Sequence, residues 1–417
     1  MAKHIAVLGS TGSIGQNALR VIEALGPEYQ VVALSAHKNV DLLADQAKRF
    51  RPRFVAVTDA NYAGKLRQLL RDSGAEVLAG PDSLTTVAET DGVDIVLNAV
   101  VGAAGLGAAF TAVRCGKRLA VANKEPLVIA GELLTAAAKK SGALILPVDS
   151  EHSAVFQAMH CGCADEVSKI ILTSSGGPFR GATTADLQNV TLEQALAHPV
   201  WEMGPKITVD SATMMNKALE IIEARWLFDT PVDKIEVLVH PESIVHSLVE
   251  FVDGSMAAQL GEPDMCLPIQ YALTYPKRVA GISRHLRLEE IGQLTFEKPN
   301  IETFRALPLA YEVGRVGGTA AAVFNGANEA AVEEFLEGSI RFAEIMELVE
   351  RCLNRHQAKR TTDLDDLLEA DSWARREIKS NLKRKDKHRT RNTSLDPSTR
   401  HRTGPARDEE YRTQHLV

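Results

Sequence analysis

The first 150 residues alternate short β-rich runs with stretches of helical period. Strand-like runs fall at His4 to Leu8, Gln30 to Ser35, Phe54 to Thr58, Asp94 to Val100, Arg118 to Asn123 and Ala143 to Val148. Between the first two, Ile14, Ala18, Val21, Ile22 and Leu25 recur at helical spacing and stop at Gly26-Pro27, which predicts a helix with one buried face. Repeated βα units of this kind predict a parallel sheet covered on both faces. After Asp149 the alternation stops. Runs at Val167 to Thr173 and Glu236 to Val239, with a hairpin-like pair at Val245 to Val252 and Ser255 to Leu260 around Asp253-Gly254, predict a second, α+β domain. A polar connector near Arg284 to Leu307 leads to a third region, where Ala310 to Ala370 has helical periodicity and little β character. From about Arg375 the apolar residues are too few to bury a core, which predicts a disordered tail.

Length agrees with this division: 417 residues, at about 150 per domain, make two or three domains. The formal charge of −7 conceals a split, because residues 375–417 hold 13 basic and six acidic side chains, a net +7, and the preceding body carries −14. No apolar run reaches the length needed to span a membrane. The N-terminus enters an apolar strand at Ile5 without the core of a signal peptide. Five cysteines are an odd number and too sparse for a disulfide framework, which predicts a cytoplasmic protein. Cys161 and Cys163 form a C-x-C without the second pair that structural zinc sites use.

Strand one runs into Gly9-Ser10-Thr11-Gly12-Ser13-Ile14-Gly15, a glycine loop opening a helix. In that context the loop predicts a dinucleotide site, with the pyrophosphate near the free N–H groups of the helix N-terminus. Strand two ends in Ala36-His37-Lys38-Asn39 rather than in the acidic residue that holds a ribose 2′-hydroxyl, so a 2′-phosphate, and hence NADP, fits better. A plain structural turn and a solvated Lys38 are the alternatives.

The last strand of the first region delivers Asp149-Ser150-Glu151. In extended backbone the two carboxylates point to one side and could reach one cation; alternatively, Asp149 or Ser150 caps the next helix. A second run, Ile207 to Glu220, contains D-S-A-T-M-M-N-K. There Asn216, Lys217 and Glu220 share a face near a helix start, while Leu219, Ile222 and Trp226 form the apolar stripe. Hydroxyls, an amide and an ammonium suit a phosphate, and Glu220 adds a third carboxylate. Three carboxylates without a Cys/His cluster select a hard cation, Mg²⁺ or Mn²⁺. Thr173 to Pro178 offers hydroxyls and backbone N–H groups as a second anion site or a plain turn. His198, Trp201 and Met203, in a stretch punctuated by Pro and Gly, read as a lid over a small polar substrate or as a packed inter-domain loop.

Together these motifs make the chain resemble the 1-deoxy-D-xylulose 5-phosphate reductoisomerase family over residues 1 to about 375. GSTGSIG, ANKE (Ala122 to Glu125), DSEH (Asp149 to His152), SGGPF (Ser175 to Phe179), HP-x-W, VDSATMMNK-x-LE, HPESIVH (His240 to His246), PDM (Pro263 to Met265), YALTYP (Tyr271 to Pro276) and N-x-ANE (Asn325 to Glu329) carry the resemblance. It implies an α/β fold with a Rossmann-like NADPH domain at 1–148, a catalytic domain at 149–283 with a lid at about 191–206, a connector at 284–307, a helical bundle at 308–374 and a basic tail at 375–417, assembled as a homodimer. It implies NADPH contacts from Thr11, Gly12, Ser13, Ile14, His37, Lys38, Asn39, Asn123, Glu125 and Gly204. The metal (Mg²⁺ or Mn²⁺, or Co²⁺) falls to Asp149, Glu151 and Glu220. Substrate contacts fall to Lys124, Ser150, Glu151, Ser175, His198, Ser211, Asn216, Lys217 and Glu220, with Ser175, Ser211, Asn216 and Lys217 on the phosphate side. Lys124, Asp149, Glu151, Glu220 and His198 are the implied catalytic set. The resemblance further implies a rearrangement of the ketose phosphate, a retro-aldol followed by an aldol step in the family's favoured scheme, and then hydride reduction to 2-C-methyl-D-erythritol 4-phosphate.

Three positions depart from the family pattern: His37 and Gly326 stand where glycine and alanine are common, and Cys266 where arginine is frequent. Two other readings remain. A semialdehyde-dehydrogenase-like NADP enzyme would need a nucleophilic cysteine. A non-enzymatic NADP sensor would bind nucleic acid through the tail, but the tail's single aromatic, Tyr411, argues against specific nucleic-acid recognition.

Overall fold

The computed structural model describes residues 2–201, 203–360 and 363–393. Among these described residues, eleven strands form two sheets. The first contains β1 (Lys3–Leu8), β2 (Tyr29–Ala36), β3 (Phe54–Val57), β4 (Glu76–Ala79), β5 (Ile95–Asn98), β6 (Arg118–Val121) and β7 (Ile145–Pro147). Their spatial order is β4-β3-β2-β1-β5-β6-β7 and every pairing is parallel, a Rossmann-like sheet. The order reverses at β1, so a crevice opens between the carboxyl ends of β1 and β5, the usual ligand position of such sheets. The central strands are apolar throughout, as burial on both faces requires: Ile5, Val7, Leu34, Val55, Ile95 and Leu97 are all in the core. The edge strand β4, Glu76-Val77-Leu78-Ala79, was not among the expected strands; its four residues are half-buried or exposed and lack the apolar run of its neighbours.

The second sheet contains β8 (Val167–Ser174), β9 (Ile235–Val239), β10 (Val245–Phe251) and β11 (Met256–Leu260), in the order β11-β10-β8-β9. β8 and β9 are parallel, and β10 joins β11 as the expected hairpin. The polar connector contributes to this sheet: Glu297 forms an antiparallel bridge with Val239. Beyond it lie helices Ala306–Val316, Ala320–Leu336, Phe342–Arg355 and Leu364–Thr393.

The expected boundary at 375 falls inside the last helix. Leu367, Ala370, Ala374 and Ile378 are buried at helical spacing, so the stripe that holds this helix to the body continues past Arg375, and the compact unit ends at Ile378. The sequence reading counted too few apolar residues for a core there; Ile378 needs no core of its own, because it extends an existing one. Residues 394–417 of the expected tail lie outside the described residues. Gly326, unusual for the resembling family, also has a structural reason: a methyl group there would lie 2.7 Å from the carbonyl oxygen of Asp371, so glycine lets the last helix dock closely. Among the described residues no helix is long and apolar enough to cross a membrane.

Candidate functional site

The glycine loop leaves β1 and opens the helix Ser13–Leu25 at Gly12. Gly9 has φ +79°, and a side chain there would meet the carbonyl of Ala99 at 2.6 Å, so the loop crosses the end of β5 at backbone contact distance. Ser13 and Ile14 face a cleft of about 290 Å³, while Thr11 and Gly12 form the turn before them. At the end of β2, His37, Lys38 and Asn39 are exposed outside this cleft. His37 Nδ1 is 2.8 Å from Thr58 Oγ1, and Asn39 caps the helix Val40–Phe50 by accepting the N–H of Leu42. Lys38 is therefore the free cation of this trio, set beside a helix N-terminus.

Asp149 does not lie in extended strand with Glu151. β7 stops at Pro147, Asp149 is the N-cap of the helix Ser150–Ala158, and its Oδ1 accepts the N–H of Glu151 at 3.2 Å. The capping alternative is the one the structure adopts, and it still aims both carboxylates at the cleft. The D-S-A-T-M-M-N-K run is likewise two helices, Pro205–Ala212 and Met215–Leu227, broken at Met214, whose φ of +60° turns the chain. The break starts the second helix at Met215, so Asn216, Lys217 and Glu220 occupy its first turns. Oxygens of Asp149, Glu151 and Glu220 lie within 4.8 Å of one another.

Two ammoniums interleave with these carboxylates. Lys124 Nζ is 3.0 Å from Asp149 Oδ2 and donates to Asn216 Oδ1 at 2.9 Å; Lys217 Nζ donates to Glu151 at 2.6 Å and to Glu220. Burial opposes the charge of Lys124, but Asp149, Glu220 and Glu223 outweigh it and hold the ammonium well above its ordinary value. Burial likewise works against Asp149, yet Lys124 and His152 keep it well below the usual carboxylate range. Glu220 goes the other way, pushed up to about 8 by burial and then by Glu151, against the pull of Lys217. The group thus carries an excess of negative charge that Glu220 resists completing. That is the electrostatic setting in which a hard divalent cation binds.

Behind Asp149, His152 sits between Asp149 (3.3 Å) and Glu223 (3.6 Å) and donates from Nε2 to the carbonyl of Glu220 at 3.0 Å. Although burial disfavours its charge, Glu223 and Asp149 raise it to about 9, so it is an imidazolium bracing Asp149. Asp149, His152 and Glu223 also lie within ligand distance of one another. His152 and Glu223 are fully buried and outside the cleft, so only the trio with Glu151 and Glu220 is open to a substrate.

Ser175, Ser211, Asn216 and Lys217 line the same cleft with Ser150. The backbone N–H groups expected to be free in the Ser174-Ser175-Gly176-Gly177 turn are taken: Gly176 donates to Ser174 Oγ and Gly177 to Ser175 Oγ. Hydroxyls therefore face the cleft in their place. His198, Trp201, Met203 and Gly204 line it from the segment between the helices Leu192–Leu196 and Pro205–Ala212. His198 Nδ1 accepts the N–H groups of Val200 and Trp201 at 3.2 and 2.9 Å, so its proton is on Nε2 and is donated to Ser175 Oγ at 3.2 Å. Burial lowers the pKa of this imidazole, which keeps that neutral form.

Two expected cofactor residues sit apart from the main cleft. Asn123 donates to Gly102 O at 3.0 Å, and Glu125 accepts from Lys206 at 2.8 Å; both line an adjoining hollow of about 50 Å³ beside Ile14. Sequence reasoning assigned no role to Ser243, His246 and Asp264, which also line the cleft; the HPESIVH and PDM motifs held the signal for all three. Cys266 and Cys352 are buried with thiols pushed up to about 12, first by burial, and Cys115, Cys161 and Cys163 are exposed. None lines the cleft, so a thiolate nucleophile has no place there.

Comparisons with known proteins identify what the chain is similar to. Family models match residues 5–131 ("1-deoxy-D-xylulose 5-phosphate reductoisomerase"), 145–228 ("1-deoxy-D-xylulose 5-phosphate reductoisomerase C-terminal domain") and 260–377 ("DXP reductoisomerase C-terminal domain"). The chain is 49% identical over 376 residues to the 1-deoxy-D-xylulose 5-phosphate reductoisomerase of Chloroherpeton thalassium, covering 90% of this chain and 97% of the relative. Among solved structures, that of the Zymomonas mobilis reductoisomerase in complex with NADPH is 43% identical, with a TM-score of 0.85 over 92% of this chain and 99% of the other. A reductoisomerase in complex with NADPH, fosmidomycin and magnesium is 39% identical, with a TM-score of 0.87 over 91% of this chain and 98% of the other.

Proposed function

Because the chain belongs to the 1-deoxy-D-xylulose 5-phosphate reductoisomerase family, we propose that it converts 1-deoxy-D-xylulose 5-phosphate to 2-C-methyl-D-erythritol 4-phosphate in isoprenoid biosynthesis, using NADPH and a divalent cation. The observation that carries this reading is the convergence of Asp149, Glu151 and Glu220 within 4.8 Å at a cleft shared with the glycine-loop residues Ser13 and Ile14.

Asp149, Glu151 and Glu220 would hold Mg²⁺ or Mn²⁺: the donors are all hard oxygens, and the raised Glu220 carboxyl marks a group short of positive charge. When bound, the cation supplies Lewis-acid polarisation of the substrate carbonyl, and NADPH supplies the hydride. The chain's own residues orient and enclose. Lys124, held by Asp149 and Asn216, would donate to the reacting oxygens as a fixed positive charge with little reorganisation. Ser175, Ser211, Asn216 and Lys217 would grip the phosphate, whose binding energy then favours lid closure and orientation of the reacting carbons. Ser175 accepts from both His198 Nε2 and Gly177 N–H, which leaves its own hydrogen free for a phosphate oxygen. His198, Trp201 and Met203 would close over the substrate and exclude water. Thr11, Gly12, Ser13, Ile14 and Gly204 would contact the nicotinamide and pyrophosphate side, with Asn123 and Glu125 beside them. Lys38, with His37 and Asn39, would meet the 2′-phosphate. This assigns cofactor binding to residues 1–148, catalysis to 149–283 and a supporting bundle to the helices after the connector.

A homodimer is part of this reading, supported by the edge strand β11, with Met256 and the neighbouring Val252 exposed. A cytoplasmic location is supported by five free cysteines. The deciding experiment follows NADPH oxidation with the sugar phosphate, in chelator and after Mg²⁺ or Mn²⁺ is restored. Turnover that requires both substrate and cation is expected; undiminished oxidation in chelator sinks the metal assignment, and none under any condition sinks the activity.

A further inference from the structure

A second cluster of charge lies beyond the main cleft, starting at Glu125 in the adjoining hollow. Lys206, the second residue of the helix Pro205–Ala212, donates to Glu125 at 2.8 Å and pairs with Asp210 at 2.9 Å. Asp210 accepts from Asn328 Nδ2 at 2.8 Å, across to the helix Ala320–Leu336. Next to Asn328, Glu329 is held by Arg375 at 2.6 Å and by Asn325 at 3.1 Å, and Arg375 is also paired with Asp371 on its own helix. A methyl group on Gly102 would lie 3.0 Å from both carboxylate oxygens of Glu329, so this carboxylate also abuts the loop after β5.

Four carboxylates and two cations thus meet in a partly to fully buried cluster, and none of them lines the cleft. An apolar contact of similar volume would hold these helices at least as firmly, so stability alone does not account for the cluster. Its place in the chain does suggest a use. The helix Pro205–Ala212 begins where the lid ends, at Gly204, and carries Ser211 of the phosphate side near its other end. Glu125 directly follows Lys124. One buried line of charges therefore reaches the lid's hinge, a phosphate hydroxyl and the neighbour of the reacting-site ammonium, and is anchored on the C-terminal helices.

We propose that Lys206 and Glu329 are positioning residues: the line of charge from Glu125 through Lys206, Asp210 and Asn328 to Glu329 and Arg375 holds the helix Pro205–Ala212 in the register that sets lid and phosphate site together. The C-terminal helices thereby act on substrate closure without touching the substrate. The kinetic arm rests on the proposed activity, and the exchange arm on its NADPH binding alone.

The test compares full-length Glu329→Gln, Asn328→Ala and Lys206→Met with wild type, and with Arg305→Gln as a control that breaks only an exposed pair with Glu350. Steady-state kinetics separate KM for the sugar phosphate from kcat, and hydrogen exchange over residues 198–212 is followed with and without NADPH. In Glu329→Gln and Asn328→Ala, KM rises about tenfold with a smaller change in kcat, the size expected of coupling through a packed network. NADPH then no longer slows exchange over 198–212, while the control matches wild type. If Lys206→Met does not fold, the other two variants decide. Wild-type KM and NADPH-dependent exchange in both, whatever their melting temperatures, overturn the proposal. A wild type inert toward the sugar phosphate would instead fail the proposed activity, and the exchange arm would still decide the line of charge.

Discussion

Glu220→Gln isolates the charge of one buried carboxylate while keeping its shape. Glu220 is 1% exposed, and its pKa is pushed up to about 8 by burial and by Glu151. The unfolded chain returns it to about 4.3, and each tenfold change in proton affinity is worth about 1.4 kcal/mol. A carboxyl raised in the folded state binds more protons than in the unfolded one across that window, so stability falls as pH rises from about 4.3 to 8. The penalty is absent below the window and reaches about 5 kcal/mol above it. Glutamine carries no such penalty. The metal-free variant should therefore melt above metal-free wild type at pH 8, with the difference closing toward pH 5. The same substitution removes one of three hard anionic ligands, so added Mg²⁺ should raise the wild-type melting temperature and leave the variant's almost unchanged, while Mg²⁺-dependent NADPH oxidation is lost and NADPH binding kept. Scanning calorimetry at the two pH values, with and without Mg²⁺, reads all but turnover and NADPH binding. Equal melting temperatures at pH 8, or normal turnover in the variant, would refute the electrostatic account of the trio.

Lys38→Ala should raise KM for NADPH about tenfold and leave NADH oxidation unchanged, because one charge-assisted bond to a 2′-phosphate is removed; an equal effect on both cofactors would show that Lys38 does not read that phosphate. His198→Ala removes the acceptor of the Val200 and Trp201 N–H groups and the donor to Ser175, and should lower kcat/KM for the sugar phosphate by about 10- to 100-fold. In wild type the acid limb arising from His198 should lie below the ordinary imidazole value, since burial lowers its pKa and protonation takes away the Nδ1 acceptor. A pH profile identical in the variant argues against that role.

The parallel sheet and most of its strands were legible because apolar runs between helical stretches are a local pattern. The glycine loop was legible for the same reason, since backbone turn and residue type coincide there. The edge strand β4 was not, because four half-exposed residues carry no periodic imprint. The expected tail boundary near 375 stops short of Ile378, which is buried although few apolar residues surround it in the sequence. At the site, sequence reading left Asp149 and Glu151 open between neighbours in an extended strand and a helix cap, and only the fold decides for the cap. It named Lys124 and Lys217 without their partners, and gave no role to Lys206, Glu223 or Glu329.

Sequence alone thus determined which side chains the chain offers: hydroxyls, an amide and an ammonium that suit a phosphate, three carboxylates that suit a hard cation, and a basic strand end that suits a 2′-phosphate. Residue type sets those affinities locally. Tertiary structure decided which charges share a low-dielectric interior, and hence that Asp149 stays ionised while Glu220 is pushed toward neutrality. Those directions depend on burial and on partners distant in sequence, as Lys124 is from Glu220, and no local pattern encodes them.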